Sequence, residues 1–179
     1  MKKVILSALI AILVVSCSTL KVTYDFDKTA QFATYKTYAF TPEALALNIE
    51  ELNRKRLIAA TENELSLKGF TKSETPDVFI DLKLTGENKQ TATATSTGGY
   101  YGGRYGWGGG YGGGTTTVNY DSYVEGTLFI EMVDAAKSQI VWQGRGVATL
   151  NPDASAQKRE SNINNAVKMI FAKYPPQIK

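Results

Sequence analysis

The 179-residue chain has no histidine and only one cysteine, Cys17. The lack of histidine excludes Ser-His-acid and Cys-His catalysis in their common forms, and it removes the most common protein ligand of transition metals. A lone cysteine cannot close an intramolecular disulfide or build a zinc site from several thiolates. We therefore expect an apolar core to stabilise the chain, and we predict neither a metal nor a cofactor.

The chain also lacks a strong excess of charge of either sign. It carries 20 basic and 17 acidic residues, and 18 basic residues remain when Lys2 and Lys3 are removed. A nucleic-acid-binding domain carries clustered Lys and Arg that form a basic stripe. We therefore expect no nucleic-acid partner.

The longest apolar run lies at the N-terminus. Lys2 and Lys3 precede an apolar stretch over 4–15 in which Ser7 is the one polar residue. This stretch is shorter than the roughly 20 residues that a membrane-spanning helix needs. A basic start followed by a short apolar run is typical of a signal peptide. We predict a signal peptide over 1–16, because the run ends in Val14-Val15-Ser16-Cys17 and this pattern matches a bacterial lipobox.

The lipobox predicts the chemistry of the N-terminus. The thiol of Cys17 takes a diacylglyceryl group, the small Ser16 fits the signal peptidase that cleaves before Cys17, and the freed amine takes a third acyl chain. Three chains anchor a protein firmly, whereas one holds it only marginally. Ser18, rather than Asp, after the cysteine favours the outer membrane, and the lack of an acidic cluster after Cys17 favours the leaflet that faces the periplasm. The alternative is an ordinary secretory signal or a retained helix in which Cys17 is coincidental.

The rest of the chain predicts a lipidated tether over 17–21 and one α+β domain over 22–179. Alternating apolar residues predict five strands and two amphipathic helices. The strands are expected over 22–27, 34–40, 78–97, 115–133 and 139–149, and the helices over 49–69 and 163–174. The order ββαβββα predicts an antiparallel sheet of about five strands that carries both helices on one face.

Local signals define the helix ends. Asn48 with Glu51 fits a capping box, and Gly69 followed by Phe70 fits a Schellman stop in which Phe70 packs on Leu65. The last helix has an apolar stripe, which ends before two prolines. Its members are Ile163, Ala166, Val167, Ile170, Phe171 and Tyr174.

The segment 98–114 is a glycine-rich insertion with 11 Gly, 4 Tyr, one Trp and one Arg. Glycine loses much backbone entropy on ordering and offers no side chain to bury, so we predict a flexible tip between two arms of one hairpin. Gly108, Gly110 and Gly113 match a dinucleotide fingerprint by letter but lack the strand and helix that it requires. Arg104 alone does not make an RGG-type nucleic-acid segment.

The aromatic residues of this tip are the candidate partner contacts. Tyr and Trp on Gly-rich loops make adaptable contacts with proteins or sugars, and their rings also settle at lipid interfaces. Self-association and an insertion without a role are the other interpretations. The candidate residues are Tyr100, Tyr101, Tyr105, Trp107 and Tyr111.

Carboxylates are the remaining candidates for catalysis. Asp25 with Asp27, and Asp77 with Asp81, are spaced to project from one face of a strand, where two acids could perform acid-base work or bind Ca²⁺. Solvated strand-face acids are far more common, and we interpret Glu125 and Glu131 as edge or surface charges. We expect a non-catalytic envelope lipoprotein that binds an envelope protein or glycan. The alternative is a carboxylate-dependent periplasmic hydrolase or glycan-processing enzyme.

Several short fragments follow one another along the chain in a specific order and spacing. They include Tyr24-Asp25-Phe26, Leu65-x-x-Lys68-Gly69-Phe70, Gly126-Thr127-Leu128, Ile140-Val141-Trp142-x-Gly144 and Tyr174-Pro175-Pro176. Together they resemble the domain of unknown function 4136 (DUF4136) family of bacterial lipoproteins. The resemblance covers nearly the whole chain after Cys17 and implies an envelope lipoprotein with a small α+β domain, but it supplies no catalytic residues. Phe40, where the family more often has Trp, and the long glycine tip depart from the family's pattern.

Overall fold

The computed structural model describes residues 20–97 and 115–177 of the chain. These residues form six strands and three helices. The strands are β1 (Lys21–Phe26), β2 (Thr37–Phe40), β3 (Thr71–Lys72), β4 (Val78–Thr97), β5 (Thr115–Asp134) and β6 (Gln139–Leu150). The helices are α1 (Pro42–Leu45), α2 (Glu51–Leu67) and α3 (Ala156–Phe171). The predicted α+β class is confirmed.

The six strands form one mixed sheet in the order β1-β6-β5-β4-β2-β3. The sheet is mostly antiparallel, as expected, but it has six strands rather than about five, and the pairing of β2 makes it mixed. Strand β2 pairs in parallel with both β3 and β4, because two helices connect these strands and bring the chain back in the same direction. Strand β3 has only two residues, too few to produce a periodic pattern.

One face of the sheet packs against α2 and α3. Alternating residues of the two central strands point toward the helices, and Ile80, Leu82, Ile130 and Met132 are all buried. The predicted stripe on α3 meets them, since Val167, Ile170 and Phe171 are fully buried. The opposite face of the sheet is not covered by either helix.

Strand β6 has glycine where α3 approaches it most closely. A Cβ atom on Gly144 would overlap both Ile170 and Trp142, and one on Gly146 would lie 3.0 Å from Cδ1 of Ile170. Trp142 stacks on Phe171 with ring centroids 5.9 Å apart. The contact between α3 and the sheet therefore requires a strand without side chains at these positions.

The ends of the two long helices agree only partly with their predicted signals. Helix α2 ends in the predicted Schellman motif: the amide of Phe70 donates to the carbonyl of Leu65, and that of Gly69, with φ +82°, donates to Ser66. The predicted capping box is wrong, because α2 begins at Glu51 after Glu50, which makes no side-chain cap.

The short helix α1 was not predicted, although its signals are present in the sequence. Pro42 occupies its first turn, and the Oγ1 of Thr41 accepts from the amide of Ala44 at 3.1 Å. Helix α3 is capped in a similar way, since the Oγ of Ser155 accepts from the amide of Lys158 at 3.2 Å.

Strands β4 and β5 form the long hairpin predicted on either side of the glycine-rich insertion. They pair in register from Val78 opposite Asp134 to Thr97 opposite Thr115. Strand β6 accompanies β5 only as far as Leu150, which pairs with Val124. Beyond that point 89–97 and 115–123 form a two-stranded ribbon, and neither β2 nor β6 pairs with it.

The ribbon and the N-terminal end of β1 lie at the same end of the sheet. Strand β6 runs toward the ribbon, and β1 is antiparallel to it with Lys21 opposite Val147. Strand β1 therefore starts at the end of the sheet from which the ribbon extends.

Candidate functional site

Two groups of predicted site residues lie outside the described part of the chain. The lipidation and cleavage residues, Cys17 and Ser16, precede the first described residue, Leu20. The candidate partner contacts Tyr100, Tyr101, Tyr105, Trp107 and Tyr111 fall between the two described ranges.

The structure does not place Asp25 and Asp27 as a pair on one strand. Strand β1 ends at Phe26, and Asp27 lies in the following turn. Its Oδ1 accepts from both the amide and the hydroxyl of Thr29 at 2.8 Å. These hydrogen bonds hold the pKa of Asp27 below its usual value, and the bond from the backbone amide has the larger effect. Asp27 therefore has the geometry of a carboxylate that stabilises a turn.

Asp77 and Asp81 also have separate structural partners. The Oδ2 of Asp77 accepts from the amides of Lys36 and Thr37 at 2.8 Å, which links the start of β4 to β2. These backbone hydrogen bonds lower the pKa of Asp77. Asp81 accepts from the hydroxyl of Thr41 at 2.8 Å. A general acid requires a carboxyl with a raised pKa, which is the opposite of the lowered pKa of Asp77.

Glu131 is not the edge or surface charge that its sequence position indicated. It lies on β5, between β4 and β6, and its side chain is only 6% exposed. Its carboxylate accepts from Nζ of Lys83 at 2.7 Å and from Nε2 of Gln143 at 2.7 Å. This cluster occupies the centre of the face that the helices leave open, and the hydrogen bond to Glu131 raises the pKa of Lys83.

Asp134 is a further carboxylate that sequence analysis did not single out. It is 6% exposed at the end of β5. Its Oδ2 accepts from the hydroxyl of Tyr35 at 2.8 Å, and its Oδ1 accepts from the amides of Ala136 and Lys137. The bond from Tyr35 is the main reason that the pKa of Asp134 is lowered. Burial raises the pKa of Tyr35 to about 12.

Five carboxylates therefore stabilise turns, the pairing of strands or the end of a hairpin. They are Asp27, Asp77, Asp81, Glu131 and Asp134. Within 20–97 and 115–177, no three His, Cys, Asp or Glu side chains are grouped closely enough to hold a metal ion.

A mostly apolar groove of about 390 Å³ lies between the helices and the sheet. Its volume is within the range of about 300–1,000 Å³ typical of sites for small organic ligands. The sheet side of the groove is formed by Leu84, Val124, Gly126, Leu128, Gly146 and Ala148. The helix side includes Leu57, Ile163 and Ala166.

Small residues on β6 create this groove. Gly144, Gly146 and Ala148 alternate along the strand and point toward the helices. Ile170 fills the space over Gly144 and also lies 3.0 Å from the position of a Cβ on Gly146. The groove continues from there along Gly146 and Ala148. The alternation of small residues was visible in the sequence, but which face it occupied and how far α3 extended over it were not.

Polar side chains also line the groove. Arg159 donates to the carbonyl of Ala154 at 2.9 Å and to Glu50 at 3.3 Å, and Asn53 donates to the same carboxylate at 2.9 Å. The other polar lining residues are Thr149, Asn151, Asn162 and Asn165. The exposed lining is nonetheless mostly apolar.

The mouth of the groove is partly apolar and open to solvent. Leu84 is 39% exposed and Leu150 is 45% exposed. Leu20, the first described residue, also lines the groove, and its Cδ1 lies 3.4 Å from the position of a Cβ on Gly146. The chain therefore enters the domain along the groove wall.

With this architecture established, comparison with known proteins identifies the family. The model of the family "Domain of unknown function (DUF4136)" matches residues 22–176, so the chain belongs to this family. No curated protein matches the chain. None of the helices in the described residues is both long enough and apolar enough to cross a membrane.

Among solved structures, a PDZ domain protein from Parabacteroides distasonis shares the fold. The two chains are 18% identical with a TM-score of 0.54, and the match covers 89% of this chain and 36% of that one. The chain thus spans about a third of the length of that protein. A PelC dodecamer from Paraburkholderia phytofirmans matches with 9% identity and a TM-score of 0.43, over 86% of this chain and 95% of that one.

Proposed function

We propose that this protein is a bacterial envelope lipoprotein, anchored through acylated Cys17, whose domain is a non-catalytic binding module. The observation that carries the anchor is the lipobox Val14-Val15-Ser16-Cys17, which contains the only cysteine of the chain. Ser18 favours the outer membrane, facing the periplasm.

The geometry of the acidic side chains supports binding rather than catalysis. Asp27, Asp77 and Asp134 each accept two or more hydrogen bonds, and these bonds lower their pKa values. A carboxylate-dependent hydrolase needs two acids that converge on one substrate, with one kept protonated near neutral pH. The lowered pKa values and the separate structural partners of these acids favour the binding module.

The ribbon 89–97 with 115–123 supports a partner close to the membrane. It leaves the domain at the end where β1 begins, and so at the end where the chain comes from Cys17. The aromatic residues Tyr100, Tyr101, Tyr105, Trp107 and Tyr111 follow at its tip in the sequence. We infer that the tip contacts an envelope protein or glycan near the anchoring membrane, or the membrane surface itself.

Mass spectrometry of the N-terminal tryptic peptide Cys17–Lys21 from purified envelopes tests the anchor. We expect a peptide that starts at Cys17 and carries two or three acyl chains, and we expect Cys17→Ser to abolish both lipid and cleavage. An unmodified peptide that begins elsewhere would show an ordinary secretory signal.

Crosslinking in intact cells tests the role of the tip. The native chain is compared with a variant in which 98–114 is replaced by a two-residue turn, with equal expression as the control. A defined partner recovered only with the native chain supports the proposal. Recovery of the same set of proteins with both chains would mean that the tip does not select the partner.

A further inference from the structure

We propose that the apolar groove between α2, α3 and the sheet binds one acyl chain of the lipid on Cys17. The inference rests on the lipidation proposed above and extends it, because it gives the groove an occupant. The anchored lipid then has two environments, the bilayer and the protein.

The chemistry of the groove selects an aliphatic ligand. Its lining is mostly apolar, with Leu57, Leu84, Leu128 and Ile163 among the apolar side chains and four asparagines, Thr149 and Arg159 as the polar ones. The one cation on its lining, Arg159, already has Ala154 and Glu50 as partners. A carboxylate or phosphate ligand would therefore find no free cation in this lining, whereas a hydrocarbon chain fits its apolar part.

The position of the tether identifies the lipid on Cys17 as the source of the acyl chain. Leu20 lies on the groove wall, and Cys17 is three residues before it. Three residues of extended backbone span at most about 11 Å. The lipid on Cys17 is therefore held next to the mouth, and a short tether gives it an effective concentration of the order of millimolar without any further binding energy.

The exposed rim is what an acyl chain would cover. Leu84 and Leu150 are 39% and 45% exposed although they border the groove. Apolar area removed from water is the main source of affinity for such a ligand. A chain that enters beside Leu20 meets Gly146 and Ala148 on β6 first, and it reaches Leu84 on β4 after crossing β5.

Photocrosslinking of the full chain in living cells tests the occupant. Leu84→p-benzoylphenylalanine places a photoreactive group at the rim, and Thr85→p-benzoylphenylalanine places the same group one residue later on the opposite face. Trypsin releases 84–89 as one peptide in both variants and Cys17–Lys21 as the lipopeptide. Mass spectrometry then identifies what each photoreactive group has captured.

We expect the peptide 84–89 to be joined to the Cys17–Lys21 lipopeptide through an acyl chain in the Leu84 variant, and we expect no such product in the Thr85 variant. Adding Ala148→Trp, which fills the groove, should abolish this product. Adding Val147→Trp, the neighbouring position on the opposite face, should leave it in place. Circular dichroism of both Trp variants checks that they fold.

Three results would overturn the inference. They are capture of a separate lipid at position 84, capture of a peptide from another protein, and no product while the lipidated Cys17–Lys21 peptide is itself detected. In each of these cases the lipid on Cys17 is present, so the proposed anchor stands and only the groove assignment fails. A Cys17–Lys21 peptide without lipid would overturn both proposals.

Discussion

Replacement of Gly144 by alanine should destabilise the protein, because β6 has no room for a side chain under α3. A Cβ at this position would overlap Ile170 and Trp142. Both neighbours are fully buried, so neither can rotate into solvent to make space. The overlap has to be relieved by moving α3 away from the sheet or by distorting β6.

The expected loss is about 1–3 kcal/mol, the usual cost of overpacking a well-packed core. Alanine recovers part of this loss, about 0.5–1 kcal/mol, because glycine in a strand loses more backbone entropy on folding. The net loss is about 0–2.5 kcal/mol, which for a protein of this size corresponds to a fall in Tm of at most about 10 °C.

Two other glycines provide matched comparisons for the same substitution. A Cβ on Gly86 would meet only Val124, at 3.9 Å, so Gly86→Ala should be neutral or stabilise the protein by about 0.4–1 kcal/mol. Gly69 has open space around it but a φ of +82°, so Gly69→Ala should cost about 1–2 kcal/mol through backbone strain alone.

The assay is urea unfolding of the three variants and the native protein, followed by far-ultraviolet circular dichroism. Gly144→Ala and Gly69→Ala should both unfold at lower urea than the native protein, and Gly86→Ala should not. If Gly144→Ala proves as stable as Gly86→Ala, the packing of α3 on β6 described here is wrong.

Three further predictions concern polar contacts. Asp134→Asn should cost about 1.5–3 kcal/mol in urea unfolding, because a charged acceptor of the Tyr35 hydroxyl is lost. Folding lowers the pKa of Asp134 below its unfolded value of about 3.9. Its contribution to the free energy of unfolding is therefore present above about pH 3.9 and is lost as the pH falls through the folded pKa. The variant should accordingly lose less stability on acidification than the native protein. Lys83→Met should cost about 1 kcal/mol or less, since Lys83 is 55% exposed although its partner Glu131 is buried; a larger loss by thermal unfolding would contradict this. Ser155→Ala should cost about 0.5–2 kcal/mol through the lost helix cap, and an unchanged Tm would show that the cap contributes nothing.

The candidate carboxylates show where a strand pattern is insufficient. Alternation placed Asp25 and Asp27 on one face of a strand, but β1 ends at Phe26. Asp27 lies in the following turn, where its carboxylate accepts a hydrogen bond from the amide of Thr29. Alternation also could not show that Glu131 belongs to a central strand, because strand order is not a property of any one segment. Its burial follows from the neighbours that the sheet supplies, Lys83 and Gln143.

The sequence by itself determined the features that depend on neighbouring residues. The hairpin of β4 and β5, the stripe on α3 and the Schellman stop at Gly69 all follow from side-chain period or from one local backbone conformation. The lipobox is likewise a local pattern, and the family follows from the order of such fragments.

Only the tertiary structure decided the features that depend on residues far apart in the chain. The parallel pairing of β2 with β4, the burial of Glu131 and the groove over Gly146 each need segments that the sequence separates by tens of residues. Periodicity shows which face of a segment is apolar, but not which other segment covers it. The groove lies where the small residues Gly146 and Ala148 of β6 face α3, with Leu20 on its wall.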